Sequence, residues 1–367
     1  MPLPEIYLVP FHLQFVVLIP ALLILAGGTW FAVSSWRERE VRATAVASLG
    51  AVLLALPFLI VALTSIPDRN TIGVALLSVT ALTVLACFWP DRRSSLPARI
   101  EATERVDERD IMFSRRELRP GTERFDAYYA RKPEHLEPDD RWRRKPGLMS
   151  PASRYAHDVG FAASDGSFTA VEALQDLVDG EPAAQRVVRS PEDFRDFLCE
   201  WARLLGAADA GTTTLEPEHV YTVGGRRERY DEPIELDHPF AVAFTVEMDH
   251  RMMQSAPDAP TLMESARQYL NAGSIAVQLA VAIRQLGYRA RAHIDANYQV
   301  ICPLVARDAG LGEIGRMGLL MTPTSGPRVR IGVVTTDMPL ALAEHDPDPT
   351  VEEFCRLCEK CAKVCPS

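Results

Sequence analysis

Between Asp308 and Leu340 the chain reads DAGLGEIGRMGLLMTPTSGPRVRIGVVTTDMPL, and from Phe354 to Pro366 it reads FCRLCEKCAKVCP. The first stretch predicts a glycine-rich loop that leads into a strand over 329–335, where β-branched residues accumulate. The second stretch has the spacing C-x2-C-x2-C-x3-C-P, which is typical of bacterial ferredoxins that bind [4Fe–4S] clusters. Together they predict an α/β core that is followed by an iron–sulfur segment.

The cysteine motif consists of Cys355, Cys358, Cys361 and Cys365. Three thiolates on one tight loop can bind three corners of a cubane cluster. The fourth cysteine, which precedes a proline, ligates the other cluster in two-cluster proteins. Structural zinc is the alternative, but its cysteines usually form two widely separated pairs. The crowding of all four thiols into one short segment favours iron and sulfur.

Helical and strand patterns alternate through the rest of the soluble region. Apolar runs predict strands over 240–246 (FAVAFTV), 288–294 and 299–305, and a long helix over 256–287 that ends at a glycine. This mixture predicts an α+β sandwich within the α/β class.

Gly310, Gly312 and Gly315 spell G-x-G-x-x-G, which is the fingerprint of dinucleotide-binding folds. Such a site needs a strand directly before the glycines and a long helix directly after them. Here two residues separate the apolar run from the first glycine, and Pro323 follows too soon for a crossover helix. We therefore interpret the glycines as a loop whose backbone closely approaches another group.

Three apolar stretches near the N-terminus have the length of membrane-spanning helices. They run about from Phe11 to Trp36, from Ala43 to Ile66 and from Thr71 to Trp89. No Lys or Arg precedes the first stretch, so it lacks the positive start of a cleaved signal peptide. Arginines cluster after the first and third stretches, which predicts that these flanks are cytoplasmic. The sequence thus predicts a multi-pass protein of the cell (inner) membrane with a cytoplasmic soluble domain.

The chain has 367 residues and a formal net charge of -10, which argues against a nucleic-acid partner. We predict a three-helix transmembrane anchor over 1–90, a charged linker and extended arm over 91–150, a catalytic core over 151–345 and an incomplete ferredoxin-like domain over 346–367. Because one cysteine motif is present, the second cluster lacks ligands, and we expect the sequence to be a fragment.

The quoted blocks resemble the corrinoid-dependent reductive dehalogenases, together with HPFAVAFTVEMDHRMMQSAP (His238–Pro257) and YLNAGSIAVQLAVAIRQLGYRARAH (Tyr269–His293). The resemblance extends from about Asp107 to the end. It implies a nitroreductase-like core that holds a base-off corrinoid, fused to a ferredoxin-like domain with two [4Fe–4S] clusters. The chain departs from the family's respiratory members, because it carries fused membrane spans where they carry a cleaved twin-arginine signal.

The resemblance also implies roles for individual residues. Tyr269 corresponds to the family's proton donor, and Arg328 is its expected partner. Asp295 or Asn297 corresponds to a third polar residue that faces the substrate, and Asp295 is the alternative proton donor, as in the related epoxyqueuosine reductases. The residues expected to contact the corrinoid are Gly310, Gly312, Gly315 and Arg316.

The resulting functional prediction is reductive dehalogenation, in which hydrogen replaces the halogen of a small organohalide. Electrons would come from a reduced donor (a ferredoxin, a flavodoxin or a quinol-linked partner) and pass through the clusters to the corrinoid. One alternative is a corrinoid-dependent reductase of a non-halogenated substrate, similar to epoxyqueuosine reductase. The other is a membrane iron–sulfur subunit that only transfers electrons.

Overall fold

The computed structural model describes residues 11–37, 41–64, 66–87, 104–342 and 348–364. It divides into two compact units, Met1–Leu96 and Pro97–Ser367, which are described separately. Cys365, the last cysteine of the motif, lies outside the described residues.

The described residues of the first unit form three helices. They are α1 (Phe11–Arg37), α2 (Val41–Leu63) and α3 (Arg69–Cys87). All three contain a stretch that is long and apolar enough to cross a membrane, as the sequence predicted. Val17, Ala21 and Ala55 are buried where the helices pack, whereas Leu23 and Leu54 are among the many exposed apolar side chains. An apolar surface of this kind suits a lipid environment.

The arm that was expected to be extended is instead largely helical. It contains α4 (Met112–Glu117), α5 (Glu123–Arg131) and α6 (Leu136–Arg143). The Thr122 hydroxyl caps α5 by accepting a hydrogen bond from the Phe125 N–H. Leu118, Tyr128 and Tyr129 are buried between these helices and form a small apolar cluster. This cluster stabilises short helices that would be marginal alone.

The core is built around one antiparallel sheet. Its elements are α7 (Asp158–Glu172), α8 (Pro191–Leu204), β1 (Asp209–Thr214), β2 (Phe240–Glu247), α9 (His250–Gln254), α10 (Ala259–Gln285), β3 (Ala290–His293), α11 (Cys302–Asp308), β4 (Glu313–Ile314), β5 (Leu320–Met321), β6 (Val329–Thr336), α12 (Thr350–Cys358) and α13 (Lys360–Val364). The main sheet has the strand order β1-β2-β6-β3, and β4 pairs with β5. The predicted mixture of helix and sheet is confirmed.

Helices cover both faces of the main sheet. Val242 and Phe244 of β2 face the cluster that contains α8 and α10. Ala241 and Ala243 face the opposite cluster, which contains α11. Because both faces are buried, β2 is apolar at nearly every position rather than at alternate ones.

The predicted strand over 299–305 is wrong in its second half. Pro303 lies in the first turn of α11, where its missing N–H leaves no hydrogen bond unmade. The apolar residues Val305 and Ala306 are buried against the sheet from this helix. A short apolar run does not distinguish a buried strand from a buried helix.

Candidate active site

A cavity of about 240 Å³ lies where α10, α11, β6 and the turn after β3 meet. Its walls are mostly apolar and come from residues such as Ile294, Leu320 and Ile331. The polar side chains around it are Tyr221, Tyr269, His293, Asp295, Tyr298 and Arg330. An apolar cavity with a few convergent polar groups is typical of a small-molecule site.

Tyr269 and Arg330 form a close pair in the cavity wall. Nη1 of Arg330 donates to the Tyr269 hydroxyl at 3.2 Å, and the guanidinium carbon lies 4.3 Å from the ring centroid. Nη2 of Arg330 donates to Ser265, one helical turn before Tyr269 on α10. Nε of Arg330 is buried and has no hydrogen-bond partner among the described residues. Burial raises the pKa of Tyr269, and the Arg330 charge opposes this rise.

The predicted pairing of Tyr269 with Arg328 is corrected to Arg330. Arg328 precedes β6 and contacts the Glu247 carboxylate at 2.7 Å and the Met248 carbonyl. Two residues along a strand correspond to about 6.6 Å, so the two arginines reach different neighbours.

Asp295 lines the cavity, whereas Asn297 does not. The Asn297 amide nitrogen donates to Gln175 at 2.8 Å, and its oxygen accepts from Arg291 at 2.6 Å. Of the two predicted polar residues, Asp295 is therefore the one that faces the cavity. Burial raises the pKa of Asp295, although nearby arginines, Arg226 first among them, act to lower it.

Tyr221, Tyr298 and Cys302 also line the cavity, although sequence reasoning gave them no role. The two tyrosine rings are 6.2 Å apart between centroids. Burial raises the pKa of Tyr298, and it raises that of Cys302 to about 12. Cys302 is therefore a protonated thiol at neutral pH, and thiols in this form are poor nucleophiles. Tyr298 follows Asp295 in the segment HIDANYQ, but no motif distinguishes it.

His293, which also lines the cavity, is a buried structural residue. Its Nδ1 accepts from the Gln299 N–H at 3.1 Å, and its Nε2 lies 3.0 Å from the Thr335 hydroxyl. His238 contacts the same hydroxyl at 2.9 Å. Burial holds the pKa of His293 well below its usual value. Nε2 thus links β3 to β6, and Nδ1 holds the segment after β3.

The glycine loop approaches its own chain. Gly312 has φ of 149°, and a Cβ there would lie 2.2 Å from the Met321 carbonyl oxygen. A Cβ on Gly315 would lie 3.1 Å from the Met321 side chain and 3.7 Å from the Cys355 sulfur. The close approach expected of these glycines therefore involves β5 and the cysteine motif. Gly310 also has a positive φ, of 79°.

Arg316 contacts the cysteine motif at Cys355. Its N–H donates to the Cys355 sulfur at 3.4 Å, and its Nε donates to the Cys355 carbonyl at 3.2 Å. Three residues later, the half-exposed Leu319 lines the cavity. The segment 316–319 therefore connects the cysteine motif directly with the cavity wall.

The donor chemistry of the motif fits an iron–sulfur cluster, because thiolates bind the irons and backbone N–H groups bond to the sulfurs. Cys355, Cys358 and Cys361 lie on α12 and α13. In the described part of the chain, no three His, Cys, Asp or Glu side chains are arranged to hold a metal ion.

The cavity fits a small substrate but cannot enclose a corrinoid ring. Met317 and Leu319 are about half exposed beside it, and these apolar side chains would contact such a group if it were bound there.

No protein-family model matches the chain. Tetrachloroethene reductive dehalogenase of Desulfitobacterium hafniense is 39% identical over 130 residues, which are 34% of this chain and 22% of that protein. The solved catabolic reductive dehalogenase NpRdhA is 29% identical with a TM-score of 0.50, over 55% of this chain and 30% of its own. A second reductive dehalogenase, whose structure suggests a mechanism for B12-dependent dehalogenation, is 27% identical with a TM-score of 0.50, over 62% of this chain and 34% of its own. The chain thus spans about a fifth of the curated relative and a third of each solved one.

Proposed function

We propose that this chain, a relative of the reductive dehalogenases, replaces the halogen of a small organohalide by hydrogen. The observation that carries the proposal is the Tyr269–Arg330 pair in the wall of an apolar cavity, with Asp295 on the same cavity. The apolar walls suit a halogenated carbon skeleton, and the polar groups are those that proton delivery requires.

The reaction consumes two electrons and one proton, breaks the carbon–halogen bond, forms a carbon–hydrogen bond and releases halide. A corrinoid, when bound, would supply the strongly reducing metal centre for this step. Tyr269 holds the proton, because its raised pKa keeps the phenol protonated at neutral pH. Once the proton has left, the phenolate lies beside the Arg330 guanidinium, which stabilises it.

Asp295 has a second role in this proposal. Its raised pKa increases the protonated fraction of the carboxyl group, so that it can donate a hydrogen bond to a bound substrate. It lines the same cavity as Tyr269 and therefore helps to orient the reacting carbon.

We assign the cluster ligands to the four cysteines of the motif. Cys355 is the best supported of those described, because Arg316 donates its N–H to the sulfur. The corrinoid would be held along the glycine loop (Gly310, Gly312 and Gly315) and Arg316. A reduced ferredoxin, flavodoxin or quinol-linked partner would provide the electrons.

Three long apolar helices suggest a membrane anchor. We propose that all three cross the membrane and that the second unit is cytoplasmic, because arginines cluster in the flanks on that side. A reporter inserted after Gly147 is expected to be active only as a cytoplasmic fusion. Activity of a periplasmic reporter at this position would reverse the orientation.

The test of activity uses the purified chain, supplied with iron, sulfide and a corrinoid. With reduced viologen as the electron source, we expect halide release from brominated or chlorinated arenes and alkenes. Tyr269→Phe is expected to lower the rate of release severely and to leave a small residual rate. Tyr288→Phe is the matched control, since that hydroxyl donates to the Val187 carbonyl and does not line the cavity.

Two other outcomes would contradict the proposal and select an alternative. Corrinoid binding without release of any halide would favour a reductase of a non-halogenated substrate. Absence of corrinoid binding in the cluster-loaded chain would favour an electron-transfer subunit.

A further inference from the structure

One surface of the arm combines exposed apolar and cationic side chains. We call it the arm face and define it by Met112, Phe113, Arg116, Arg141, Trp142, Arg144, Lys145 and Leu148. The apolar members are 65% (Met112), 54% (Phe113), 44% (Trp142) and 55% (Leu148) exposed. Such exposure of large apolar side chains in one region is typical of an interaction surface.

The arm face is continuous because α4 and α6 lie side by side. Arg115 of α4 contacts Asp139 of α6 at 3.5 Å. A Cβ on Gly147 would lie 3.7 Å from Nη2 of Arg116, which brings the end of the arm against α4. On the inner side of the arm, Leu118, directly after α4, and Tyr129 of α5 are buried.

The cations of the arm face carry charge that the described residues do not neutralise. Arg116, Arg141, Arg144 and Lys145 make no ion pair within the described part of the chain. Two neighbouring carboxylates are paired elsewhere, since Asp140 contacts Arg143 and Glu117 contacts Arg226. Lys145 instead stacks on Trp142, with its nitrogen 3.5 Å from the ring centroid.

We propose that the arm face binds the anionic surface of a phospholipid bilayer. Tryptophan and exposed aliphatic side chains enter the interfacial layer, while arginine and lysine reach the phosphate groups. The proposal rests on the membrane anchor proposed above, which keeps the chain at a bilayer. A nucleic acid would also attract the four cations, but it would leave Met112 and Leu148 exposed to water.

The expected strength follows from the number of cations. Each Lys or Arg near an anionic membrane surface contributes about 1 kcal/mol, and salt screens this contribution. Removing three of them therefore lowers the ratio of bound to unbound arm face roughly a hundredfold.

The experiment places the full chain in lipid nanodiscs made of phosphatidylcholine alone or with one third phosphatidylglycerol. Trypsin cleavage after Arg144 reports the accessibility of the arm face, and cleavage after Arg189, an exposed site outside the arm, is the internal control. At low salt we expect slower cleavage after Arg144 in the anionic discs and equal cleavage after Arg189. If the protein does not insert into the discs, the proposed membrane anchor is contradicted. Binding of the arm face would then be measured with vesicles of the same two lipid compositions.

The variant R116Q/R141Q/K145Q keeps the reporter cleavage site and is expected to lose the lipid dependence. The variant R195Q/R203Q/R251Q, with the same charge change outside the arm, is expected to keep it. Equal cleavage after Arg144 in both lipids would overturn the proposal. Protection of the Arg144 site from trypsin that depends on the number of chains per disc, and not on the lipid charge, would also overturn it. That result would indicate self-association of the chain.

Discussion

Replacing Arg330 by glutamine is expected to slow dehalogenation without disrupting the fold. Nη1 of Arg330 lies 3.2 Å from the Tyr269 hydroxyl, and its guanidinium lies over the same ring. Glutamine keeps a polar amide on the same strand position, but it is shorter than arginine and carries no charge. The variant therefore removes the stabilisation of the phenolate that forms when the proton leaves.

The magnitude follows from this distance. Two unit charges 3.2 Å apart attract each other by about 5 kcal/mol at an effective dielectric constant of about 20. The guanidinium charge is shared among three nitrogens, and one of them is bound to Ser265. We therefore expect the variant to lose about 3 kcal/mol of transition-state stabilisation, which lowers turnover roughly a hundredfold.

The assay is halide release with reduced viologen, compared among Arg330→Gln, Arg328→Gln and the double variant Tyr269→Phe/Arg330→Gln. Arg328 contacts Glu247 at a partly exposed site, so its replacement is expected to change turnover little. In the double variant, Arg330→Gln should add almost nothing to the loss from Tyr269→Phe, because the phenolate no longer forms. Greater damage from Arg328→Gln than from Arg330→Gln, or two losses that simply add, would refute the role assigned to Arg330.

The remaining predictions concern the second carboxyl group and the fold. Asp295→Asn is expected to retain measurable turnover, with a pH profile that is flat through neutral pH. The reason is that the protonated form of Asp295 is depleted as the pH rises through its raised pKa, and asparagine does not titrate. A loss of turnover as large as that from Tyr269→Phe would instead make Asp295 the proton donor. Gly332→Ala would place a Cβ 2.2 Å from a core phenylalanine ring, so it should lower the free energy of unfolding, measured with denaturant, by about 1–3 kcal/mol. The control is Gly166→Ala, in open space on α7, which should leave this free energy unchanged or raise it. Hydrogen bonds from a buried histidine and an arginine hold the pKa of Asp308 well below 3.8 despite its burial. Asp308 thus stabilises the fold above pH 3.8 and loses this effect as the pH falls through its folded pKa, so Asp308→Asn should lower the unfolding midpoint at pH 7 and make little difference in strong acid.

Much of the core could be predicted from local sequence. FAVAFTV corresponds to β2, and VRIGVVT corresponds to β6, because strands buried on both faces are apolar throughout. The helix predicted over 256–287 is α10, and Gly287 follows it with φ of 85°, which favours glycine. These elements carry their signal in consecutive residues.

The contacts between elements could not be predicted in the same way. Arg328 and Arg330 have the same chemistry and lie two residues apart, so the sequence does not show which one reaches Tyr269. The register of β6 decides it: Arg330 is opposite Val246, whereas Arg328 lies beyond the paired residues, next to Met248. Register depends on tertiary packing, and a resemblance supplies it only as accurately as its alignment.

Asp295 shows why cavity residues in particular resist local prediction. The turn that presents it requires a positive φ of 58° at Ala296, a backbone region where alanine is disfavoured and glycine or asparagine is expected. The turn is held by the Asn297 N–H, which donates to the Ile294 carbonyl at 3.0 Å, and by Gln175, which donates to the Asp295 carbonyl at 2.9 Å. Local preference is thus overruled by contacts with a residue 120 positions earlier in the chain. Strained backbone of this kind persists where the surrounding structure imposes it, and it clusters at functional sites. The conformation of Ala296 therefore supports the assignment of this cavity independently of any motif.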